Sequence, residues 1–190
     1  MRKLYYVADP GEISNDLYLQ ILELLPEFRR KKALSYRNLL DRKLSAISYL
    51  LLMYGLYDCF GITEFRLRYG AHGKPYLLGT EHVFFNLSHC ASGCVCGISD
   101  REIGVDIQDL VAFDETTAEF VCTPEELRRL HLSQNRDELF TKLWCMKESI
   151  VKLSGEGISE DFKKIDTLQR KTGTKVTKIG RQYVAFSQKI

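Results

Sequence analysis

The clearest pattern of hydrophobic and polar positions lies at residues 139–157. Its apolar residues recur at the spacing of one helix face: Leu139, Leu143, Met146, Ile150 and Leu153. Asn135 followed by Glu138 forms a capping pair at the start, and Gly155 and Gly157 are stop signals. The pattern predicts a helix around which the rest of the chain is organised.

A second stripe on this helix is polar. Trp144, Glu148 and Lys152 stand four residues apart and stack on one side, with Lys147 beside them. A solvated ladder of salt bridges is one interpretation. The other is that Glu148 holds a divalent cation while Lys147 or Lys152 holds a phosphate. The helix alone leaves both open.

The N-terminal part mixes strand and helix patterns. Strands are predicted at residues 4–8, 65–69, 83–87, 95–99 and 102–107, and helices at residues 14–25 and 28–60. Asp100 and Arg101 indicate a tight hairpin between the last two strands. The buried stripe of the longer helix is predicted at Leu34, Leu40, Leu44, Ile47, Leu51 and Tyr54.

Two features of this part carry possible chemistry. The start of the longer helix is basic: Arg29, Arg30, Lys31, Lys32, Arg37, Arg42 and Lys43. These residues form either a solvated charged face or a platform for phosphates or an acidic protein. Residues 69–75 form a glycine-rich loop, which is either a long turn or backbone that approaches a ligand closely.

The C-terminal part begins with an acid inside an apolar strand. Asp106 and Gln108 lie two residues apart, so both point to one face, and a buried acid needs a partner, a proton or a metal. Thr123, Pro124 and Glu126 then form a strong helix start, which gives Glu126 a complete structural explanation. Further strands are predicted at residues 162–168, 175–179 and 182–187, the last two joined by a turn at residues 180–181.

The elements predict an α+β fold made of two similar halves, residues 1–102 and 103–190. Each half has a helical part and about three short, mainly antiparallel strands. The two halves are expected to form one compact unit.

Composition and charge narrow the function classes. The chain has 190 residues and a formal net charge of +2, which argues against a generic nucleic-acid coat and gives no strong attraction to membranes. No apolar run approaches the roughly 20 residues of a membrane span, and the N-terminus has no signal core. We therefore expect a soluble cytoplasmic protein that binds neither nucleic acid nor membranes.

The six cysteines are expected to be reduced thiols. Cys90, Cys94 and Cys96 suggest a zinc site, but their spacing lacks paired C-x-x-C knuckles. Small buried hydrophobic residues are the simpler interpretation of these positions.

Three segments, in this order, carry a resemblance to a known family. Gly73-Lys74-Pro75 and Asn86-Leu-Ser88-His89 come first, then Gly-Val-Asp106-Ile-Gln108, then Trp144-Cys-Met-Lys147-Glu148-Ser-Ile-Val-Lys152. Together they resemble the surfactin-type 4′-phosphopantetheinyl transferases over residues 29–157. The W-x-x-K-E-S-x-x-K signature is the specific part, and the preceding aspartate strand adds to it.

The resemblance implies an activity and a fold. Members of the family transfer phosphopantetheine from coenzyme A to a serine of a carrier protein, with Mg²⁺, and release adenosine 3′,5′-bisphosphate. Their fold is a pseudo-twofold pair of α+β halves with the active site between them. The partner here would be an acidic acyl or peptidyl carrier protein of fatty-acid, polyketide or peptide biosynthesis. We expect the chain to act as a monomer.

The resemblance also assigns roles to residues. Asp106 and Glu148 would be magnesium ligands, with Gln108 as a second ligand on the strand where the family often has a glutamate. Lys152 would hold the diphosphate, with Lys147 beside it in a binding or a structural role. The remaining candidates are Gly73, Lys74 and Pro75 at the adenine, Ser88 and His89 near the 3′-phosphate, and Lys31 with Arg42 or Lys43 on that phosphate. The general base would be Glu126 or a water held by Glu148.

Three other functions stay open on the residues alone. One is a different Mg²⁺-dependent transferase that acts on nucleotides. Another is a non-catalytic module that binds a carrier protein or another acidic partner. The third is a zinc-stabilised interaction domain.

Overall fold

The computed structural model describes residues 1–157, 160–168 and 173–189. The described residues form these strands: β1 (Arg2–Ala8), β2 (Leu67–Tyr69), β3 (Pro75–Leu77), β4 (Phe84–Cys90), β5 (Gly93–Ser99), β6 (Ile103–Gln108), β7 (Lys175–Ile179) and β8 (Gln182–Gln188). Their helices are α1 (Asn15–Leu24), α2 (Glu27–Ser35), α3 (Leu39–Phe60), α4 (Glu115–Val121), α5 (Pro124–Leu132) and α6 (Arg136–Ser154). Short 3₁₀ helices lie at Pro10–Glu12 and Glu160–Lys164.

The first half is built on an antiparallel sheet with the strand order β1-β5-β4. Helix α3 packs across one face of this sheet, where its buried Leu52 and Leu56 share a core with Cys96 and Ile98 of β5. The β2-β3 hairpin lies beside this sheet, next to β4. Burial of this apolar surface supplies most of the driving force that holds the helix on the sheet.

The second half is built on a sheet with the order β6-β8-β7, and α6 packs against it. The closest approach is at Gly104, where an added Cβ would lie 2.0 Å from the Ser149 carbonyl oxygen and 2.4 Å from the Leu153 amide nitrogen. Only glycine lets the helix backbone sit this near the strand. Asp106 lies two residues after Gly104 on β6 and therefore faces the same helix.

The two sheets meet through an apolar layer. Val95 of β5 packs with Val105 and Ile107 of β6, all fully buried. Beside this layer the Asn86 side chain of β4 accepts a hydrogen bond from the Val105 amide at 2.9 Å. That bond ties β4 to β6, although the two strands belong to different sheets.

Several local predictions are confirmed. The Asn135 side chain accepts from the Glu138 amide at the start of α6, and Gly155 ends this helix with a left-handed backbone. Thr123 and Glu126 form the expected capping box of α5. The mixed class with small antiparallel sheets is also confirmed. The division at residues 102 and 103 stays a prediction.

The predicted hairpin at Asp100 and Arg101 is wrong. β5 lies in the middle of its sheet, with β1 paired on one edge and β4 on the other. Because both edges are already hydrogen-bonded, β6 cannot pair with β5 and joins β8 instead.

The single helix predicted at residues 28–60 is also wrong. Tyr36 has an extended backbone, and the Asn38 side chain accepts from the Leu40 amide at 2.9 Å, which starts α3 as a new helix. Leu34 and Tyr54 of the predicted buried stripe are exposed. The break allows α2 to fold back against α3.

The strand predicted at residues 162–168 is not present. Residues 160–164 form a 3₁₀ helix, and the Phe162 ring stacks on Trp144 with centroids 5.9 Å apart. No helix in the described part of the chain has the length and hydropathy needed to cross a membrane.

Candidate active site

Three elements bring their polar side chains together at Asp106. The carboxylate of Asp106 on β6 is only 1% exposed, and its Oδ1 lies 2.5 Å from the Lys152 Nζ of α6. Ser88 of β4 donates to the same oxygen at 2.8 Å, and Lys152 also donates to the Ser88 hydroxyl at 2.7 Å. The buried acid therefore has the charged partner that its burial requires.

Glu148 lies one turn before Lys152 on α6 and is largely buried. Burial raises the pKa of its carboxyl group, and the negative charge of Asp106 raises this pKa further, while Lys152 lowers it. Two carboxylates that repel each other in a buried place are a donor set that suits a hard divalent cation. Mg²⁺ is commonly held by one or two carboxylates together with water and substrate phosphates.

Gln108 is tied to Asp106 by a hydrogen bond. Its Nε2 donates to Asp106 Oδ2 at 3.0 Å, so the amide nitrogen faces the carboxylate. The bond forms because Asp106 offers an acceptor at the next position on the same strand face. Ligation of a metal by the amide oxygen of Gln108 stays a prediction.

A basic cavity of about 300 Å³ lies between α2, α3 and β4. The Arg29 guanidinium is buried there, 4.6 Å above the Tyr49 ring centre. Arg29 Nε and Ser48 Oγ are buried without a hydrogen-bond partner among the described residues. Unpaired buried donors are costly, so their presence beside a cavity points to an anionic ligand. Lys32 and His89 also line this cavity.

A second cavity, of about 240 Å³, lies between the glycine-rich loop and the end of α6. Lys74 spans it to donate to the Leu153 carbonyl oxygen at 2.8 Å, and burial lowers the pKa of this lysine. Glu148 and Lys152 line the far side. The two cavities share Gly73, Pro75 and Leu87 and therefore adjoin; together they are called the groove, which has Arg29 at one end and Lys152 at the other.

Ser88 and His89 were expected to act together, but they face opposite sides of β4, as neighbours on a strand do. Ser88 points to Asp106, whereas His89 lines the basic cavity. Burial lowers the pKa of His89, and the positive charge of Lys152 lowers it further. Of the two, only His89 lines the cavity that contains Arg29, and its place near the 3′-phosphate stays a prediction.

The basic residues predicted for the 3′-phosphate do not converge. Lys31 is exposed and paired with Glu27 at 2.7 Å. Lys43 is buried and donates to the Gly11 and Ile13 carbonyl oxygens at 3.0 and 2.5 Å, so it fastens the 3₁₀ helix near the N-terminus. Arg42 Nε donates to the Tyr36 carbonyl oxygen at 2.7 Å.

Sequence reasoning singled out neither Arg29 nor Lys32 from the basic cluster. Their position in the cavity depends on the break between α2 and α3, which the hydrophobic pattern did not predict. Asn38, which caps the second helix, was the available signal for that break.

Glu126 and Lys147 form a fully buried ion pair at 2.8 Å. Glu126 also accepts from the amide and hydroxyl of Thr167 at 3.0 and 2.6 Å. Lys147 donates to the Phe162 and Ile165 carbonyl oxygens at 2.9 and 2.5 Å. Both side chains are 0% exposed, so the geometry favours a structural role for Glu126 and Lys147 over a general base and a substrate contact.

The cysteines suggested for zinc occupy different layers. Cys94 and Cys96 lie in the core under α3, whereas Cys90 packs against the layer between the two sheets. Within the described ranges, no three His, Cys, Asp or Glu side chains gather as an all-protein metal cage would need.

Comparison with known protein families indicates which class of protein the chain resembles. Residues 102–188 match the family model of the 4′-phosphopantetheinyl transferase superfamily. This segment contains β6 with Asp106 and α6 with Glu148 and Lys152.

Individual relatives extend the likeness into the first half. A 4′-phosphopantetheinyl transferase of Bacillus pumilus, psf-1, is 29% identical over 136 residues, which are 69% of this chain and 58% of that protein. A 4′-phosphopantetheinyl transferase of Bacillus subtilis is 29% identical over 136 residues, 69% of this chain and 60% of its own length. The resemblance to phosphopantetheinyl transferases is thus confirmed, although the chain spans only about three fifths of these relatives.

One solved structure is similar at lower identity. It is a holo-[acyl-carrier-protein] synthase of Thermotoga maritima, 19% identical, with a TM-score of 0.39 over 47% of this chain and 64% of that chain.

Proposed function

We propose that this protein transfers the 4′-phosphopantetheine group of coenzyme A to a serine of an acyl or peptidyl carrier protein, as its relatives' names imply. The observation that carries the proposal is the groove with a buried arginine at one end and two carboxylates beside a lysine at the other. Such a groove fits a ligand with two separated phosphate groups. Phosphopantetheine transfer breaks the diphosphate at one of these ends.

The chain's own residues suggest how coenzyme A lies in the groove. Arg29, Lys32 and His89 would bind the 3′-phosphate, where the unpaired Arg29 Nε supports an anion. The loop at Gly73 and Pro75 would border the adenine, because it lies between the two cavities. The diphosphate then reaches Lys152. Arg29 and Lys32 replace Lys31 and Lys43 in this assignment.

Asp106 and Glu148 would hold Mg²⁺, with Gln108 supporting Asp106 by its hydrogen bond. When bound, the metal would offset the charge that spreads over the diphosphate oxygens during transfer. Lys152 would neutralise part of the same charge. The nucleophile is the hydroxyl of the partner's serine. As its oxygen bonds to the β-phosphorus, the bond to adenosine 3′,5′-bisphosphate would break and this product would leave. The serine proton would pass through a water held by Glu148 to the solvent, since Glu126 is enclosed.

The carrier protein would approach the open side of this groove. Exposed Arg30 and Lys32 on α2 suit an acidic partner and would mainly raise the encounter rate. Arg128 and Arg129 contribute less, because both pair with Glu125 and hold its pKa down to about 2. The protein would act as a monomer in the cytoplasm.

The test is mass spectrometry of apo carrier proteins, one acyl and one peptidyl, incubated with this protein, coenzyme A and Mg²⁺. We expect a gain of one phosphopantetheine group on the carrier, lost on chelation of Mg²⁺ and in Asp106→Ala and Glu148→Ala. Lys142→Met on the same helix is the control and should leave transfer unchanged. Transfer at undiminished rates in both carboxylate variants would refute the assignment of Asp106 and Glu148 as metal ligands.

The alternative of a non-catalytic binding module is not favoured, because the matched superfamily and the relatives are transferases. It predicts carrier binding without coenzyme A and no mass gain on either carrier. A nucleotide transferase predicts instead that ATP competes with coenzyme A for the groove.

A further inference from the structure

The Lys152 ammonium occupies the position beside Asp106 in which a bound cation would lie. Asp106 Oδ1 accepts hydrogen bonds from Lys152 and Ser88, and Oδ2 accepts one from Gln108. Three of the roughly four acceptor sites of the carboxylate are therefore taken, and it is almost completely buried, so a cation gains access most readily when one of these donors leaves.

Lys152 is the donor best placed to leave. Its side chain is 29% exposed and lines the 240 Å³ cavity in which we place the diphosphate. Ser88 is buried and lies on a strand paired along its length with β5, so it has little freedom to withdraw. A lysine and a divalent cation on one carboxylate oxygen would also repel each other strongly.

The charges of the site favour the same exchange. Asp106 and Glu148 supply two negative charges when both are ionised, and Lys152 offsets one of them. A divalent cation added beside Lys152 would leave this buried place with excess positive charge. A diphosphate removes that excess and gives Lys152 a new partner.

We propose that Lys152 is the resident counter-ion of Asp106 in the free enzyme, and that the diphosphate of coenzyme A draws it away to open Asp106 to the metal. The identity of the diphosphate rests on the proposed function. Coenzyme A and the metal then bind with positive coupling, and each must raise the affinity for the other by the same factor. The free enzyme binds metal weakly because its own lysine competes.

The test measures metal binding without any activity readout. Mn²⁺ is titrated into the full chain in the absence of coenzyme A, and free Mn²⁺ is counted by electron paramagnetic resonance. We expect Lys152→Met to bind Mn²⁺ about tenfold more tightly than the parent, within the 5- to 150-fold range usual for such couplings. Unchanged or weaker binding in this variant overturns the inference.

Lys142→Met is the matched control. Lys142 lies on the same helix and pairs with Glu138 at the surface at 2.7 Å, so its removal changes the net charge equally without touching Asp106. Its Mn²⁺ affinity should equal that of the parent, and a gain like that of Lys152→Met would refute a local exchange. If Lys152→Met does not fold, Lys152→Gln removes the charge but keeps a donor for Asp106.

Two further arms separate this inference from the proposed function. Asp106→Asn should lose the Mn²⁺ site with either residue at position 152, and retention of the site overturns both the metal assignment and the inference. Inorganic pyrophosphate should lower free Mn²⁺ in the presence of the parent by more than it does in a protein-free titration, because the diphosphate draws Lys152 away, and no difference from the protein-free titration overturns the inference. Tighter Mn²⁺ binding by Lys152→Met, together with no transfer to any carrier by the parent protein, would support the inference while refuting the proposed function.

Discussion

Replacing Lys147 by methionine should damage stability far more than substrate binding. The Lys147 ammonium lies 2.8 Å from Glu126 and also donates to two carbonyl oxygens, and both charged side chains are 0% exposed. Without the lysine, Glu126 becomes a buried anion whose remaining hydrogen bonds within the described part of the chain come from Thr123 and Thr167. Breaking one partner of such a buried pair costs about 3–5 kcal/mol.

That loss corresponds to a fall in melting temperature of about 6–20 °C for a chain of this size. The assay is urea unfolding followed by fluorescence of Trp144, the only tryptophan of the chain, which stacks directly on Phe162. Well below its melting temperature, the variant should keep the coenzyme A KM of the parent, because Lys147 does not line the groove.

A double variant, Glu126→Gln with Lys147→Met, provides the internal control. Since it leaves no unpaired charge, it should be less destabilised than the sum of the two single variants. Strict additivity, or a stable Lys147→Met variant with a raised KM, would refute the structural role and return Lys147 to the substrate site.

The other predictions concern the alignment of β6, its contact with α6 and the charge on Glu148. Asn86→Ala should cost about 1–3 kcal/mol in urea unfolding and reduce transfer, because the buried Val105 amide loses its acceptor, whereas Asn86→Asp keeps one. Gly104→Ala should force α6 away from β6 and lower the melting temperature. It should also slow transfer more than tenfold, which corresponds to a barrier raised by about 1.4 kcal/mol or more. Gly11→Ala is the control, because the nearest atom would lie 3.5 Å from its added Cβ. Glu148 has a raised pKa, so its ionisation destabilises the metal-free fold as pH rises through that pKa. Glu148→Gln should therefore abolish transfer yet raise the melting temperature of the metal-free protein at neutral pH, and an unchanged or lower value would contradict the assigned burial cost.

The features that the sequence predicted well are those that short-range contacts determine. The Asn135 and Thr123 caps act on residues three positions away, and the shared face of Asp106 and Gln108 follows from strand alternation alone. The sequence signature also placed Glu148 and Lys152 on the same side of α6, because a spacing of four residues is a local property of a helix.

The hydrogen-bond partners of the individual lysines could not be predicted in this way. Lys43 bonds to Gly11 and Lys147 to Ile165, partners that lie 32 and 18 residues away. A lysine side chain pairs with whichever carbonyl oxygens the tertiary fold brings near it, and hydrophobic periodicity carries no information on that. The hairpin at Asp100 failed because both edges of β5 are already paired: β4, which directly precedes it, fills one edge, and β1, which is distant in sequence, fills the other.

The strand order of the second sheet has a consequence for self-association. β7 lies at the outer edge of this sheet, and such an edge offers its backbone groups to a strand of another copy. Lys175 and Lys178 are both exposed on β7. Two such edges brought together would place like charges against each other, so these lysines oppose aggregation through the free edge of β7.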